Sequence, residues 1–266
     1  MRIEYRMEGT ERRVQKVAPG THKPVSANEL HPARAGSAYT LIELLIVIAV
    51  IATLAALTFP AVRAAKLSVM RARARSEMIQ IQTAIERYKD RLGFYPPDNP
   101  PNWGMNQLYY ELLGTTNSGS AATPVYSTLD GSSQVTDLGQ AFGITAGKSN
   151  VPGFMNCARP TRGDDPQNAM SFLADLKPAQ RIMLTNPSGA QLCTILVCAL
   201  PGPPALSSLG SGGVNPWRYN SSSPRYNPKS FDLWIDLIAG NKTNRICNWS
   251  DRPITVYYTS IANSYP

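Results

Sequence analysis

An α+β fold, with one long helix laid against a small antiparallel sheet, is what this sequence predicts, and three observations carry the prediction. Between Glu43 and Arg63 lie nineteen residues without a charge. Directly after them Leu67, Met70, Ala74, Met78, Ile81, Ile85, Tyr88 and Leu92 recur at spacings of three and four, the repeat of a single helical face. Near the C-terminus Trp217, Tyr219, Phe231 and Leu233 alternate with Arg218, Asn220 and Asp232, as strands do when one face is buried.

At ~1.5 Å per residue the uncharged run spans about 28 Å as a helix, roughly the hydrocarbon thickness of a bilayer. Ile, Val, Leu and Ala fill every side of its wheel, without the polar face that a soluble amphipathic helix keeps. A buried core helix of a soluble protein is the alternative. Glu43 interrupts the apolar stretch near its start, where an ionised carboxylate is costly unless it is paired or close to the membrane surface, so Glu43 is a functional candidate. Pro60 lacks an amide hydrogen and is expected to kink the helix. Arg71, Arg73, Arg75, Glu77, Glu86, Arg87 and Lys89 are assigned to the polar surface, and Gly93 followed by Pro96 supplies the stop.

The string TLIELL, preceded by Tyr39 and the small residues Ala35, Gly36, Ser37 and Ala38, resembles the prepilin-type cleavage and methylation motif of type IV pilins and type II secretion pseudopilins. The resemblance implies that a prepilin peptidase cuts between Ala38 and Tyr39, that the new N-terminus is methylated, and that Glu43 guides filament assembly. The residue before the cut is usually Gly in that family and is Ala38 here. Pilin-like proteins also tend to carry a proline at the position of Pro60.

The resulting organisation is a leader at 1–38, a transmembrane half-helix at 39–62, an amphipathic half at 63–95 and a globular domain at 96–266. Residues 1–38 mix charges with Pro and Gly and have no apolar period, so they read as a segment to be removed. Within the globular part, residues 100–215 run through Gly, Ser, Pro, Asn and Thr clusters and read as a large irregular insertion. Two apolar bursts interrupt it: Gln107–Leu113, and Leu192–Leu200, which reads as a buried strand.

The net charge of +8 becomes +5 once the leader, with seven Lys/Arg and four Glu, is removed. That excess is too modest to predict a nucleic-acid partner. His22 and His31 both fall in the leader, which removes Ser-His and Cys-His catalysis and His-based metal sites from the mature chain. Cys157, Cys193, Cys198 and Cys247 permit up to two disulfides in an oxidising compartment. Cys193 and Cys198 bracket TILV, which disfavours the turn a mutual bridge needs, so Cys157 or Cys247 is the expected partner.

YKDRLGFYPPDN (88–99), NPWRYN (215–220), SFDLW (230–234) and ICNW (246–249) resemble the helix end and C-terminal strands of major pseudopilins. Members of that group often bind calcium in the loop after the last of these strands. Asp236, Asn241 and Asn244 are the weak candidates here, and Lys242 and Arg245 among them argue against a cation, so no cofactor is expected.

The resemblance implies a non-enzymatic subunit of a type II secretion pseudopilus. It would sit in the bacterial inner membrane as a single-pass protein with its C-terminal domain in the periplasm. Its expected partners are prepilin peptidase, copies of itself and other pseudopilins, and the inner-membrane secretion platform. Arg63, Lys66, Arg71, Arg73 and Arg75 after the apolar run oppose that topology under the positive-inside rule, although long C-terminal domains translocate against a local charge bias. A type IV pilin or minor pilin for adhesion, motility or DNA uptake is the alternative, and a membrane-anchored enzyme or sensor a remote one.

Overall fold

The computed structural model describes residues 39–120, 122–143, 151–158, 168–203, 214–239 and 242–256. The chain divides into two units, Met1–Thr53 and Leu54–Pro266, each considered by itself. The fold is α+β: a long N-terminal helix with an apolar first half, and small, mostly antiparallel sheets.

Helix α1 (Leu41–Leu92) is 52 residues long and continues through Pro60. Its first part exposes Leu41, Ile42, Leu44, Leu45, Ile46, Val47, Ile48, Val50 and Ile51. Further along, the stripe read from the sequence is the buried face: Ala74, Met78, Ile81, Ile85 and Tyr88 join the core, and Leu67, Met70 and Leu92 are partly covered. Burying each of the larger side chains contributes about 1.5–3 kcal/mol. Gly93 ends the helix at φ 86° and donates its N–H to the Lys89 carbonyl (2.7 Å), the left-handed closure that glycine adopts without a Cβ penalty.

The middle third corrects the expectation of an irregular insertion. Among its described residues are α2 (Leu108–Leu113), β1 (Thr115–Asn117), β2 (Tyr126–Thr128), β3 (Gln134–Val135), α3 (Leu138–Phe142), β4 (Cys157–Ala158), β5 (Arg181–Thr185) and β6 (Gln191–Leu196). Strands β1 to β4 form a sheet in the order β3-β2-β1-β4, with β1 and β4 parallel, while β5 and β6 pair as an antiparallel hairpin. These strands are two to six residues long, too short to show a two-residue repeat in sequence. The Leu192–Leu200 burst is the buried strand expected, and the Gln107–Leu113 burst is α2, buried at every position.

Glu111 explains how so short a helix is held. It is 0 % exposed; Met155 donates its N–H to Oε1 (2.8 Å), and the Asn156 N–H and the Tyr88 hydroxyl donate to Oε2 (2.9 Å each). One carboxylate thereby fastens α2 to α1 and to the entry of β4. The Asn156 side chain completes the node, donating to the carbonyls of Glu111 (2.7 Å) and Met170 (2.6 Å).

The C-terminal sheet is antiparallel, in the order β10-β9-β8-β7, from β7 (Arg218–Asn220), β8 (Asp232–Ala239), β9 (Lys242–Cys247) and β10 (Ser250–Val256). Trp217, Tyr219, Phe231, Leu233, Ile235, Leu237 and Ile246 share one hydrophobic cluster with the α1 stripe. Pro253 is tolerated because β10 is an edge strand whose pairing shifts register between Ser250 and Ile254.

Burial pushes the Glu111 carboxyl above its ordinary range, ahead of the three hydrogen bonds that favour its charged form. Its stabilising contribution is therefore complete below the ordinary glutamate pKa and is lost as pH rises through the raised folded value. Glu111→Gln points an amide NH2 at one of two backbone N–H donors and is expected to cost about 1–3 kcal/mol. The deficit relative to wild type should shrink as pH rises, which denaturant melts of both proteins from about pH 4, near the ordinary glutamate value, up to about pH 8 would show.

Candidate functional site

The N-terminal motif folds as a local hydrogen-bonded unit. Thr40 donates both its backbone N–H and its hydroxyl to Glu43 Oε2 (2.8 and 2.9 Å), and the Glu43 N–H reaches back to Thr40 Oγ1 (3.3 Å). This is a capping box, in which a Thr and a Glu three residues apart satisfy donors that the first helical turn leaves open. Thr-x-x-Glu before an apolar run is the sequence signal for it. Glu43 is thus not an isolated charge within this chain. Its neighbour Tyr39 is 86 % exposed, and Ala38 lies outside the described residues.

Two threonines farther along the apolar helix are also internally satisfied. Thr53 Oγ1 donates to the Val50 carbonyl (2.8 Å) and Thr58 Oγ1 to the Leu54 carbonyl (2.7 Å), so neither hydroxyl demands water. One segment of α1 is long and apolar enough to cross a membrane, and none of it is buried within the protein.

The helical arginines do more than coat a surface. Arg71 Nη2 donates to Asn244 Oδ1 (2.7 Å), and Arg75 Nη2 donates to the Ser250 carbonyl (2.8 Å) with Asp251 Oδ1 at 3.6 Å. Both tie α1 to the β9–β10 pair. Arg73 pairs with Glu77 at 3.2 Å, and Glu77 is buried, a correction to its assignment as a surface residue.

The calcium candidates are engaged by cations. Arg245 grips Asp236 with two hydrogen bonds, Nε to Oδ1 (2.8 Å) and Nη2 to Oδ2 (3.0 Å), and Arg218 Nη1 lies 3.9 Å from the same carboxylate. Asn244 gives its carbonyl oxygen to Arg71, and Asn241 lies outside the described residues. Strand register brings this about, since Asp236 on β8 sits directly opposite Arg245 on β9. Both oxygens of this carboxylate are already engaged by guanidinium groups, which compete with any metal for them.

The cysteines depart from the expected disulfides: Cys157, Cys193, Cys198 and Cys247 are all free, buried thiols. They are distributed over β4, β6, the segment after β6, and β9. Burial raises the Cys193 and Cys247 thiols, while Cys198, which also faces the Glu77 carboxylate, is pushed up to about 12. All three are therefore protonated and unreactive at neutral pH.

Other acids that the sequence did not single out act as loop clamps. Asp98 Oδ2 accepts the Ser221 and Ser222 N–H groups (3.1 Å each) and the Ser222 hydroxyl (2.8 Å). Asp232 accepts the backbone N–H groups of Arg225, Tyr226 and Asn227 at 2.8–3.0 Å. Tyr219 and Ser221 both donate to the Pro96 carbonyl (2.9 and 2.8 Å), fastening the helix end to β7. Two cavities are among those formed by the described residues. One of about 440 Å³ is lined by Ile182, Val197, Cys198, Leu200, Val214 and Asn215, and one of about 350 Å³ by Asn117, Tyr126, Pro152, Phe154, Met155 and Cys157. Neither lining contains a carboxylate, a histidine or a basic side chain among the described residues.

No family model, curated protein or solved structure matches this chain. The functional reading therefore stands on its own residues.

Removing the acid of the buried ion cluster leaves two guanidinium groups without their carboxylate, so Asp236→Ala is expected to cost about 3–5 kcal/mol. The loss in melting temperature should be the same in calcium and in a chelator. A wild-type melting temperature raised by calcium and unmoved in Asp236→Ala would restore Asp236 as a metal ligand.

Proposed function

We propose that this chain is a structural, non-enzymatic subunit of a type II secretion pseudopilus, processed by a prepilin peptidase and polymerised through α1. The observation that carries the reading is the segment from Tyr39 to Val62: an aromatic residue and a Thr-x-x-Glu box at the head of one helix, followed on it by nineteen uncharged residues. Further support is the exposure of that apolar surface, which calls for lipid or neighbouring helices, and the way the second half of α1 serves as the spine of a small α+β domain. The pilin-like architecture, the inner-membrane location with a periplasmic domain, and the partners named above belong to the same reading.

Under it the leader is cut between Ala38 and Tyr39. The intact mass of the membrane-extracted protein should show loss of the first 38 residues and gain of one methyl group. A mature protein that still contains Arg34 would end the proposal.

The role of Glu43 is separable from its capping box. In the proposed filament the Glu43 carboxylate pairs with the Tyr39 ammonium of a neighbouring subunit. Glutamine supports a capping box as glutamate does but carries no charge. Glu43→Gln should therefore insert into the membrane normally while yielding as few sheared filaments as Glu43→Ala. Wild-type filament yield from Glu43→Gln, with loss only in Glu43→Ala, would reduce Glu43 to a helix cap.

A further inference from the structure

The cations that follow the apolar run do not all have the same employment. From Leu44 to Ser76 the chain has no Asp or Glu, and Arg63, Lys66, Arg71, Arg73 and Arg75 fall in the second part of that interval. Arg71 and Arg75 are spent on the β9–β10 pair and Arg73 on Glu77. Arg63 and Lys66 are exposed and make no ion pair among the described residues.

A third exposed cation, Lys242, approaches this end of the domain from the sheet. Arg71 meets Asn244 while Arg75, one helical turn later, meets Ser250, whose register partner on β9 is Cys247. Strand β9 therefore advances in the same sense as α1, and its first residue, Lys242, points back toward the apolar end. Lys242 precedes Asn244 by about 7 Å of strand, and Lys66 precedes Arg71 by about 7.5 Å of helix. Counted from the Arg71–Asn244 contact, Lys242 and Lys66 both lie on the side toward the apolar run, and Arg63 begins one turn nearer that run.

We propose that Arg63, Lys66 and Lys242 form a basic shelf that binds the phosphates of anionic lipid headgroups where α1 leaves the bilayer. The proposal rests on the membrane-spanning reading of α1 and on nothing else in the secretion reading. Val62 ends the uncharged run, and a headgroup layer is about 5–7 Å deep on each side of the hydrocarbon, so Arg63 and Lys66 fall within it. The long stems of Lys and Arg allow their charged ends to reach the phosphates while the methylenes lie along apolar surface. A lipid surface suits these cations because the apolar run that places them is continuous with them. Each basic group near an anionic membrane strengthens binding roughly five-fold.

The test uses the full chain in nanodiscs of phosphatidylcholine alone or of phosphatidylcholine with phosphatidylglycerol, treated with an amine-acylating reagent and read by peptide mass mapping. Lys66 and Lys242 should react several-fold more slowly in the anionic discs and recover at about 1 M salt, where the screening length falls to about 3 Å. Lys229, next to Ser230, which bonds Tyr95 beyond the far end of α1, should react equally in both. Equal rates for Lys242 in the two lipids overturn the shelf. So does equal protection in phosphatidylcholine discs from inorganic phosphate, which would assign these cations to a free anion. Failure of the chain to enter either disc overturns the membrane-spanning reading and the shelf with it.

Discussion

Burial of one stripe of α1, from Ala74 to Tyr88, is the constraint on which the rest of the domain depends. A helix gains most of its stability in water from packing one face, and this one packs against three different bodies of chain. The C-terminal sheet joins its core, Phe172 tilts against Tyr88 at 5.4 Å between ring centres, and α2 reaches it through the Tyr88–Glu111 hydrogen bond. Tyr88 is the meeting point because it has both a large apolar ring and a hydroxyl. The ring fills the core, and the hydroxyl satisfies a carboxylate that could not otherwise be buried.

The same economy governs the other buried charges. Glu111, Asp98 and Asp232 spend their oxygens on backbone N–H groups of loops, and Asp236 spends both of its oxygens on arginine. Each is an anchor that lets a loop-rich chain hold a fixed shape with short strands and without disulfides. Among the described residues Glu111, Asp98, Asp232 and Asp236 face protein donors, and the four thiols are buried. The unusual surface of the molecule is the apolar first half of α1, and the proposed function is located there.

The basic flank of that half-helix acquires a physical sense from the same structure. Counted along the sequence, five cations after the apolar run argue about topology. In three dimensions Arg71 and Arg75 hold the sheet and Arg73 pairs with Glu77, which leaves Arg63 and Lys66, with Lys242, for the proposed shelf. Charge counts near a membrane segment mean less when some of the charges are structural.

Much of this protein was legible in its sequence because the relevant signals are local and long. Nineteen uncharged residues and an apolar stripe of eight residues define α1, since a helix repeats every 3.6 residues and leaves its mark over a long stretch. The C-terminal strands were legible for a similar reason, through alternation around Trp217, Tyr219, Phe231 and Leu233. Tertiary structure alone decided β1 to β4, where strands of two or three residues are held by partners such as Glu111 and Asn156 and not marked by any repeat of their own. It alone decided that Asp236 pairs with Arg245, because register across β8 and β9 sets which side chains face each other. It also decided that Arg71 and Arg75 hold a sheet, and that four cysteines stay apart. Pairings between distant residues follow from where the backbone places them, and nothing in their spacing along the chain encodes that.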